Sequence, residues 1–376
     1  FRLTLSGKGK PIVNLYDCGG MLLENITIHA SAGLVVYERA SVEQNVYRNC
    51  RIERKPDSDR LLAGNADGFH SSMARVGPIY EDCFAEALCD DGFAVHGFFS
   101  LLLSPASGKT VEMAPLLRRD FDVGSELKFY DIQTLAFLGS AKVVSFEETR
   151  APSALKRAQA LPGVLQRKGQ RIVRMATESV VTVQLDRELE LTENALVECE
   201  DWCGAGMEVR NCVVDNLRGR AYLMSTVDGV IENCEATWIS GPAVEFSGEI
   251  PWMQGPFSKR ISIENNVFED IGLSVSSQAS YKTALGAISL HAYYSGKLIE
   301  NFYPIEDIRI VGNDIVRSHL PAISVLNTGT VVIDDNVIED ANLTPSGRAG
   351  ESLGVATEGT FIIAGSRDVF LGENTF

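Results

Sequence analysis

A short phrase returns along the whole chain: Glu24-Asn25-Ile26, Arg48-Asn49-Cys50, Glu81-Asp82-Cys83, Arg210-Asn211-Cys212, Glu232-Asn233-Cys234, Glu264-Asn265-Asn266, Gly312-Asn313, Asp335-Asn336 and Glu373-Asn374. Measured at the third position, the spacings are 24 residues from Ile26 to Cys50, 33 to Cys83, 22 from Cys212 to Cys234, 32 to Asn266 and 23 from Asn313 to Asn336. The short spacings cluster near one value, and the long ones read as that value with loops added. Apolar, β-branched stretches such as Ile261-Ser262-Ile263 and Val331-Val332-Ile333 fill the intervals, with Asn or Gly at the corners. A coil of this length cannot bury its inward face alone, so it must stack on its neighbours. The pattern predicts an all-β chain wound as a right-handed parallel β-helix. Asn side chains at one corner would bond to each other along the axis, with Cys as a small buried substitute. No L-x-x-L-x-L phrase recurs, which removes the leucine-rich-repeat alternative.

The phrase disappears between Phe98 and about Cys199. Gly124-Ser125-Glu126-Leu127-Lys128-Phe129-Tyr130, Gly139-Ser140-Ala141-Lys142-Val143-Val144 and Val180-Val181-Thr182-Val183-Gln184-Leu185 read there as hairpin strands. The expected division is therefore a first part of the helix over 1–98, an inserted small β-barrel or sandwich over 99–198, and a second part over 199–376. Ala151 to Ala160 reads as a short helix within the insertion. The insertion begins just after His96-Gly97 and is expected to overhang whatever that corner carries. Phe1 opens within a strand pattern and Phe376 closes within another phrase, so continuation at one or both ends is expected.

The chain has 376 residues, 45% of them hydrophobic, and a formal charge of −16 with a pI near 4.8. Such a balance argues against phosphate backbones and anionic membranes as partners. No apolar run of about 18 residues reads as a membrane span. Eight cysteines in so long a chain are no small-domain disulfide framework. Cys199 and Cys203 are spaced C-x3-C without a second Cys/His pair, so no metal site is expected. The thiols read as buried apolar groups.

Two stretches carry candidate chemistry: Asn65-Ala66-Asp67-Gly68-Phe69-His70 and Asp90-Asp91-Gly92-Phe93-Ala94-Val95-His96-Gly97. Asp67 and Asp91 stand 24 residues apart, one coil, so they should be direct neighbours at about the 4.8 Å strand spacing, with Asp90 beside them. Crowded carboxylates cannot all ionise easily, so one should hold a proton near neutral pH. Extending the register by eight residues from the Asn/Cys phrase sets Asp91 level with Pro242, Ala94 with Glu245 and His96 with Ser247. Glu245 then points outward two coils on. Ala287-Ile288-Ser289-Leu290-His291 repeats the pattern of the strand that ends in His96 and puts His291 on the same face. Trp252 and Trp202 lie near these coils in sequence, and an exposed indole is a stacking surface for a sugar. Each feature has an ordinary reading too. Asp-Gly is a common turn in which Gly supplies positive φ, a lone Glu245 is a solvated strand residue, and a Trp is core or loop packing. Two Asp-Gly copies in register, with Asp90 and His96 added, favour a site. His29 and His319 have no acidic motif nearby.

Those two motifs, followed by a strand-rich insertion and by Ser240-Gly241-Pro242-Ala243-Val244, Trp252 and Ile261-Ser262-Ile263-Glu264-Asn265-Asn266, resemble glycoside hydrolase family 110. The resemblance runs from about Asp67 onward. It implies a β-helix with an inserted barrel and an exo-acting, inverting α-galactosidase, many members of that family being specific for α-1,3-linked galactose. By motif it places the active-site aspartates at Asp67, Asp90 and Asp91 and an acidic partner at Glu245. Asn65, His70, His96, Trp252 and His291 are the accompanying candidates for substrate binding, the imidazoles as neutral hydroxyl partners. Ala66 stands where a Thr is common, and Phe93-Ala94 replaces a more polar filling. No cofactor is expected. The implied partner is an oligo- or polysaccharide ending in α-galactose, met outside the cytoplasm as a secreted or periplasmic enzyme would meet it.

Polygalacturonases also set Asn-x-Asp, Asp-Asp and Gly-His-Gly on a β-helix, but their later Gly-His-Gly and Arg-x-Lys have no clear counterpart here. Two further readings use the same scaffold. In a polysaccharide lyase the aspartates would hold Ca²⁺ and a Lys or Arg would take the proton, yet the motif contains no basic residue. In a non-catalytic glycan-binding fibre the tryptophans bind and the carboxylates are turns. Within the hydrolase reading, Asp90 or Asp91 is the acid, and Glu245 is a candidate for the second role because inversion needs carboxyls about 6.5–9.5 Å apart.

Overall fold

The computed structural model describes residues 9–103, 106–115, 120–150, 179–191, 195–274, 285–292, 297–344, 355 and 358–376. Within them the chain is all-β and winds into three long parallel sheets. The first runs through Val13–Tyr16, Val36–Arg39, Phe69–Ser72, Phe93–Phe98, Tyr222–Ser225, Val244–Ser247, Ile288–His291, Ile323–Leu326 and Phe361–Ala364. The second takes one strand per coil from Leu22–Glu24 to Val369–Leu371, and the third from Thr27–Ile28 to Val337–Glu339. Stacked coils of three strands each make a parallel β-helix, as the repeat predicted. The candidate helix at 151–160 and the strand opening at Phe1 lie outside the described residues.

The recurring phrase is the corner between the second and third sheets. Its middle residue takes the left-handed backbone in the first eight copies: Asn25, Asn49, Asp82, Asn211, Asn233, Asn265, Gly312 and Asp335 have φ between 47 and 67°. Asn, Asp and Gly are the residues that tolerate this conformation. The next residue turns inward. Asn266 donates to Asn313 (2.8 Å), Asn313 to Asn336 (3.0 Å) and Asn336 to Asn374 (2.9 Å), while each amide also donates to a carbonyl of the preceding coil. In the earlier coils Cys50, Cys83, Cys212 and Cys234 occupy the same place, and their thiols reach the matching carbonyls of Leu23, Tyr47, Tyr80 and Val209 at 3.3 to 3.5 Å. Cys18 is half-buried and the other seven cysteines are buried.

Alternation assigns the faces of the first sheet. Phe69, Phe93 and Tyr222 lie inward in one register column and stack ring on ring, at 4.8 Å and 5.5 Å between centroids. Their neighbours His70, Ala94, Leu223 and Glu245 therefore form an outward column, and Ser72, His96, Ser225, Ser247 and His291 form another. Outward does not mean solvated here: all residues of Tyr222–Ser225 and Val244–Ser247 are buried, so both faces of the central coils are covered.

The barrel leaves the helix at the end of Phe93–Phe98. Ser100–Leu102, Ala106–Ala114, Glu126–Tyr130, Phe137–Arg150, Ser179–Leu191 and Leu196–Glu198 close into a six-stranded barrel with its own apolar core, including Val111, Phe129, Val143 and Val183. It docks through Tyr130, packed edge-on against Phe257 and Phe302, and through Lys259, whose ammonium donates to Glu198 and Glu200. A second cation–carboxylate pair, Arg75 with Asp122, joins the barrel to a coil corner. These contacts lie past the ends of the first sheet's strands, whereas the aspartates of the two motifs precede them.

Candidate active site

Asp67, Asp91 and Arg220 occupy one column on three successive coils. The ladder that defines it runs from Gly68 N–H to the Asp91 carbonyl and from Gly92 N–H to the Arg220 carbonyl. The glycines after the aspartates serve this stacking. A Cβ on Gly68 would meet the Gly92 carbonyl oxygen at 2.8 Å, and one on Gly92 the Ala221 carbonyl oxygen at 2.7 Å. Neither glycine has a positive φ, so the ordinary turn explanation of Asp-Gly does not hold at either copy. Close backbone approach is what demands Gly.

The column brings unlike charges together. Arg220 Nε and Nη2 donate to the two oxygens of Asp91 at 2.8 Å each, and its backbone N–H adds a third bond at 3.0 Å. Its Nη1 donates to Glu245 (3.2 Å) and to Glu249 (2.8 Å). One buried guanidinium thus gathers three carboxylates, and their fields hold its charge well above the ordinary range although burial works against it. Glu245 lies two coils from Asp91, as the eight-residue register predicted, with Leu223 between Ala94 and Glu245. It is 5% exposed, which removes the reading as a solvated strand residue. Burial raises its pKa, against the pull of Arg220, and Ser247 Oγ donates to it at 3.2 Å.

Carboxyl oxygens of Asp67, Asp90 and Asp91 lie within 4.8 Å of one another, the one group among the described residues with the spacing to hold a cation. Within the chain both oxygens of Asp91 and one of Asp67 already have partners. Asp67 is buried and Asp90 half-buried. Burial, followed by the charge of Asp91, lifts both well above the ordinary carboxylate range.

The histidines converge from both outward columns. His70 Nδ1 is 2.5 Å from Asp67 Oδ2, and its Nε2 is 3.0 Å from Nε2 of His96. Tyr37, one coil back in the His70 column, packs edge-on against the His70 ring. His291, level with His96 three coils on, lies 3.7 Å from Glu245 and 3.3 Å from Ser289 Oγ. Burial lowers all three imidazoles, to about 4 at His70, about 3 at His96 and about 4 at His291, so they are neutral at physiological pH.

Asn65 stands at a bend two residues before Asp67, its backbone N–H donating to Ser31. Trp252 ends the one-turn helix Ile250–Trp252, half-buried, three residues beyond Glu249. Trp202 is buried, with the Arg75 guanidinium 5.4 Å over its ring, and is a packing residue rather than an exposed stacking surface. Arg220 and Glu249 were not foreseen, and a basic group does sit among the aspartates, contrary to the expectation from the motifs alone. Arg220 was within reach of the same rule that located Glu245: it stands eight residues after Cys212, as Asp91 stands eight after Cys83. Glu249 is on the loop after Val244–Ser247, where no coil register applies.

No protein-family model matches the chain. Among curated proteins it is 23% identical over 338 residues to Alpha-1,3-galactosidase A of Bacteroides fragilis, a match covering 88% of this chain and 51% of the relative. It is 25% identical over 261 residues to Alpha-1,3-galactosidase B of Bacteroides thetaiotaomicron, covering 68% of this chain and 38% of that one. The chain spans about half the length of the first of these relatives, and less of the second. Among solved structures, the tailspike protein gp49 of Pseudomonas phage LKA1 aligns over 81% of this chain and 49% of its own, with 11% identity and a TM-score of 0.27. The chain is a parallel β-helix protein that is similar to the curated alpha-1,3-galactosidases and, by its motifs, resembles glycoside hydrolase family 110.

Proposed function

We propose that the chain is the catalytic part of an inverting α-galactosidase that removes terminal, α-1,3-linked galactose from glycans. The observation that carries this reading is the gathering of Asp67, Asp90, Asp91, Glu245 and Glu249 around one guanidinium, beside three neutral imidazoles, on a covered face of the first sheet. Hydrolysis of a glycoside needs one carboxylic acid and one carboxylate at a time. Crowding and burial supply the first. The names of the curated relatives support galactose as the sugar and α-1,3 as the linkage.

The three aspartates are too close together to serve as both members of an inverting pair, which need about 6.5–9.5 Å between carboxyls to admit a water. The acid is therefore assigned to the aspartate cluster and the base to Glu245, two coils from Asp91 and held across the Arg220 guanidinium from it. Arg220 spans the two sides and fixes their separation. The acid protonates the glycosidic oxygen, Glu245 takes a proton from the attacking water, and neutral His291 hydrogen-bonds a sugar hydroxyl, the ring nitrogens of His70 and His96 being engaged within the protein. Arg220 is no lyase base, because four of its five side-chain N–H groups donate to carboxylates whose fields keep it charged.

The test is hydrolysis of p-nitrophenyl α-galactoside and of an α-1,3-galactosyl disaccharide, with the first-released anomer followed by NMR. Release of β-galactose by the parent and not by Asp91→Asn is the expected result. First release of α-galactose, or no turnover of either substrate by the folded chain, overturns the reading.

A further inference from the structure

The cover over the outward face of the first sheet ends at the aspartate corner. Ser72 and His96 are buried, but Tyr37 and Arg39, level with His70 and Ser72 one coil earlier, are half-buried. Asn14 and Tyr16, level with those two a further coil back, are exposed. Two coils thus present an open ledge that begins at the site itself. Tyr37 packs edge-on against His70, whose Nδ1 is 2.5 Å from Asp67, and its hydroxyl lies 3.0 Å from Ser72 Oγ. Inversion brings the water and the leaving oxygen to opposite faces of the sugar. With Glu245 on the water side and the acid among the aspartates, the leaving glycan departs toward the coils before Asp67, where the ledge lies.

That ledge carries a cation without a counter-ion. Arg39 is held over the Tyr16 ring, 5.0 Å from its centroid, and among the described residues its guanidinium makes no hydrogen bond or ion pair. Its Nε is buried with no partner. Elsewhere on the coils Arg48, Arg51, Arg54, Arg210 and Arg260 each meet a carboxylate within 3.3 Å. With 50 acidic residues in the chain, carboxylates are not scarce. Glu38, next to Arg39 in sequence, faces the core instead, where Asn45 and Tyr47 donate to it. A donor left unpaired in a folded chain is disfavoured, and a guanidinium offers parallel N–H groups that match the oxygens of a carboxylate or a sulfate ester. An anion on the open side of Arg39 would supply the partner that the protein does not.

We propose that the ledge is the leaving-group subsite, and that Arg39 selects glycans whose leaving sugar carries an anionic group, a sulfate ester or a carboxylate. The direction of the glycan rests on the hydrolase reading above. Tyr16 holds the guanidinium through its ring face, and the two tyrosine rings give the sugar an apolar floor. A neutral sugar fills the same floor without the charge-assisted bond, so the anion alters specificity and leaves the bond-breaking step as it is.

The experiment uses the whole chain and α-1,3-galactosyl disaccharides whose reducing galactose carries a hydroxyl, a sulfate ester or a carboxylate at its primary carbon, the substituent that turns freely and reaches furthest from the ring. The parent is expected to cleave an anionic disaccharide with kcat/KM roughly tenfold above the neutral one, the gain lying in KM. Which anion is preferred identifies the group. Arg39→Gln should reduce the preference to about none, Arg39→Lys should keep part of it, and added salt should shrink it in the parent. A parent without preference for either anion, or a preference unchanged in folded Arg39→Gln, overturns the proposal. A second measurement needs no turnover. Galactose sulfate and galacturonate are titrated against the ¹⁵N-labelled parent, and the Nε–H signal of Arg39, assigned by its loss in Arg39→Gln, should shift with the preferred anion and not with galactose. No shift with either anion also overturns the proposal. A chain that binds the anionic sugar at Arg39 but cleaves no disaccharide refutes the galactosidase reading and leaves the anion site standing, whereas turnover without preference refutes this inference alone.

Discussion

Arg220 is the residue on which the candidate site turns, because three carboxylates, two of them buried, share its charge. Removing one partner from a buried ion pair costs more than the pair contributes, since the remaining charge is stranded. Arg220→Met is expected to destabilise the fold by about 3–5 kcal/mol in urea titration, and to lower kcat/KM by at least roughly a hundredfold through misplacement of Asp91 and Glu245. Arg220→Lys keeps the charge but not the planar fork. It should recover most of the stability and little of the activity, and full activity in that variant would show that charge alone suffices. Asp67, Asp90, Asp91, Glu245 and the three histidines were legible because a strict coil period turns sequence distance into spatial distance. Arg220 obeys the same arithmetic, eight residues after Cys212, but its corner and the strand after it carry no Asp-Gly or His motif to mark it. Glu249 was not legible at all, since a loop side chain reaches its partner by a path that no period describes.

At the scale of the corner, the phrase that announced the fold does two separate jobs in consecutive residues. The first turns the chain through left-handed backbone, and the second fills the inside of the corner. That is why Asn, Asp and Gly share the middle position while Cys and Asn share the next one: both inward groups donate to the same carbonyl of the coil before. The helix, its sheets and its corners could therefore be read in advance, whereas the cover that buries the outward face of the first sheet could not, because it comes from segments distant in sequence. The two halves of the ladder should differ in cost. Asn313→Ala strips partners from the amide and backbone of Asn266, the side chain of Asn336 and the carbonyl of Ile263, and should cost about 3 kcal/mol or more. Cys212→Ala gives up a weak donor and little volume and should cost about 1 kcal/mol. Chemical denaturation of both variants decides this, and equal losses would mean that the ladder contributes by filling space rather than by bonding.

Across the whole molecule, the site and the barrel hang on one strand. Phe93–Phe98 carries His96 on its outward face and then leaves for the barrel, pairing antiparallel as it goes: Gly97 with Gly255 and Phe98 with Gln254. That pairing anchors the segment from which Glu249 reaches Arg220, and Phe99 N–H donates to Met253 in the same turn. The returning barrel strand Leu196–Glu198 ends at Glu198, fully buried, where Lys259 meets it at 2.5 Å. Lys259 lies on the second-sheet strand Lys259–Glu264, a few residues past the same anchored segment. Loosening the barrel should therefore disturb Glu249 and Arg220 without touching either. Lys259→Met leaves buried Glu198 with only the longer contact to Lys128 at 3.9 Å and is expected to cost about 3–5 kcal/mol, much of which Lys259→Met with Glu198→Leu should recover by replacing the pair with apolar packing. In the single variant the barrel strands should gain protease cleavage before the coils do, and kcat/KM should fall although the altered residue lies outside the cluster. If the barrel is instead an independent attachment, the single variant will lose stability with kcat/KM unchanged, and Glu249 must then be held by the Gly255 pairing alone.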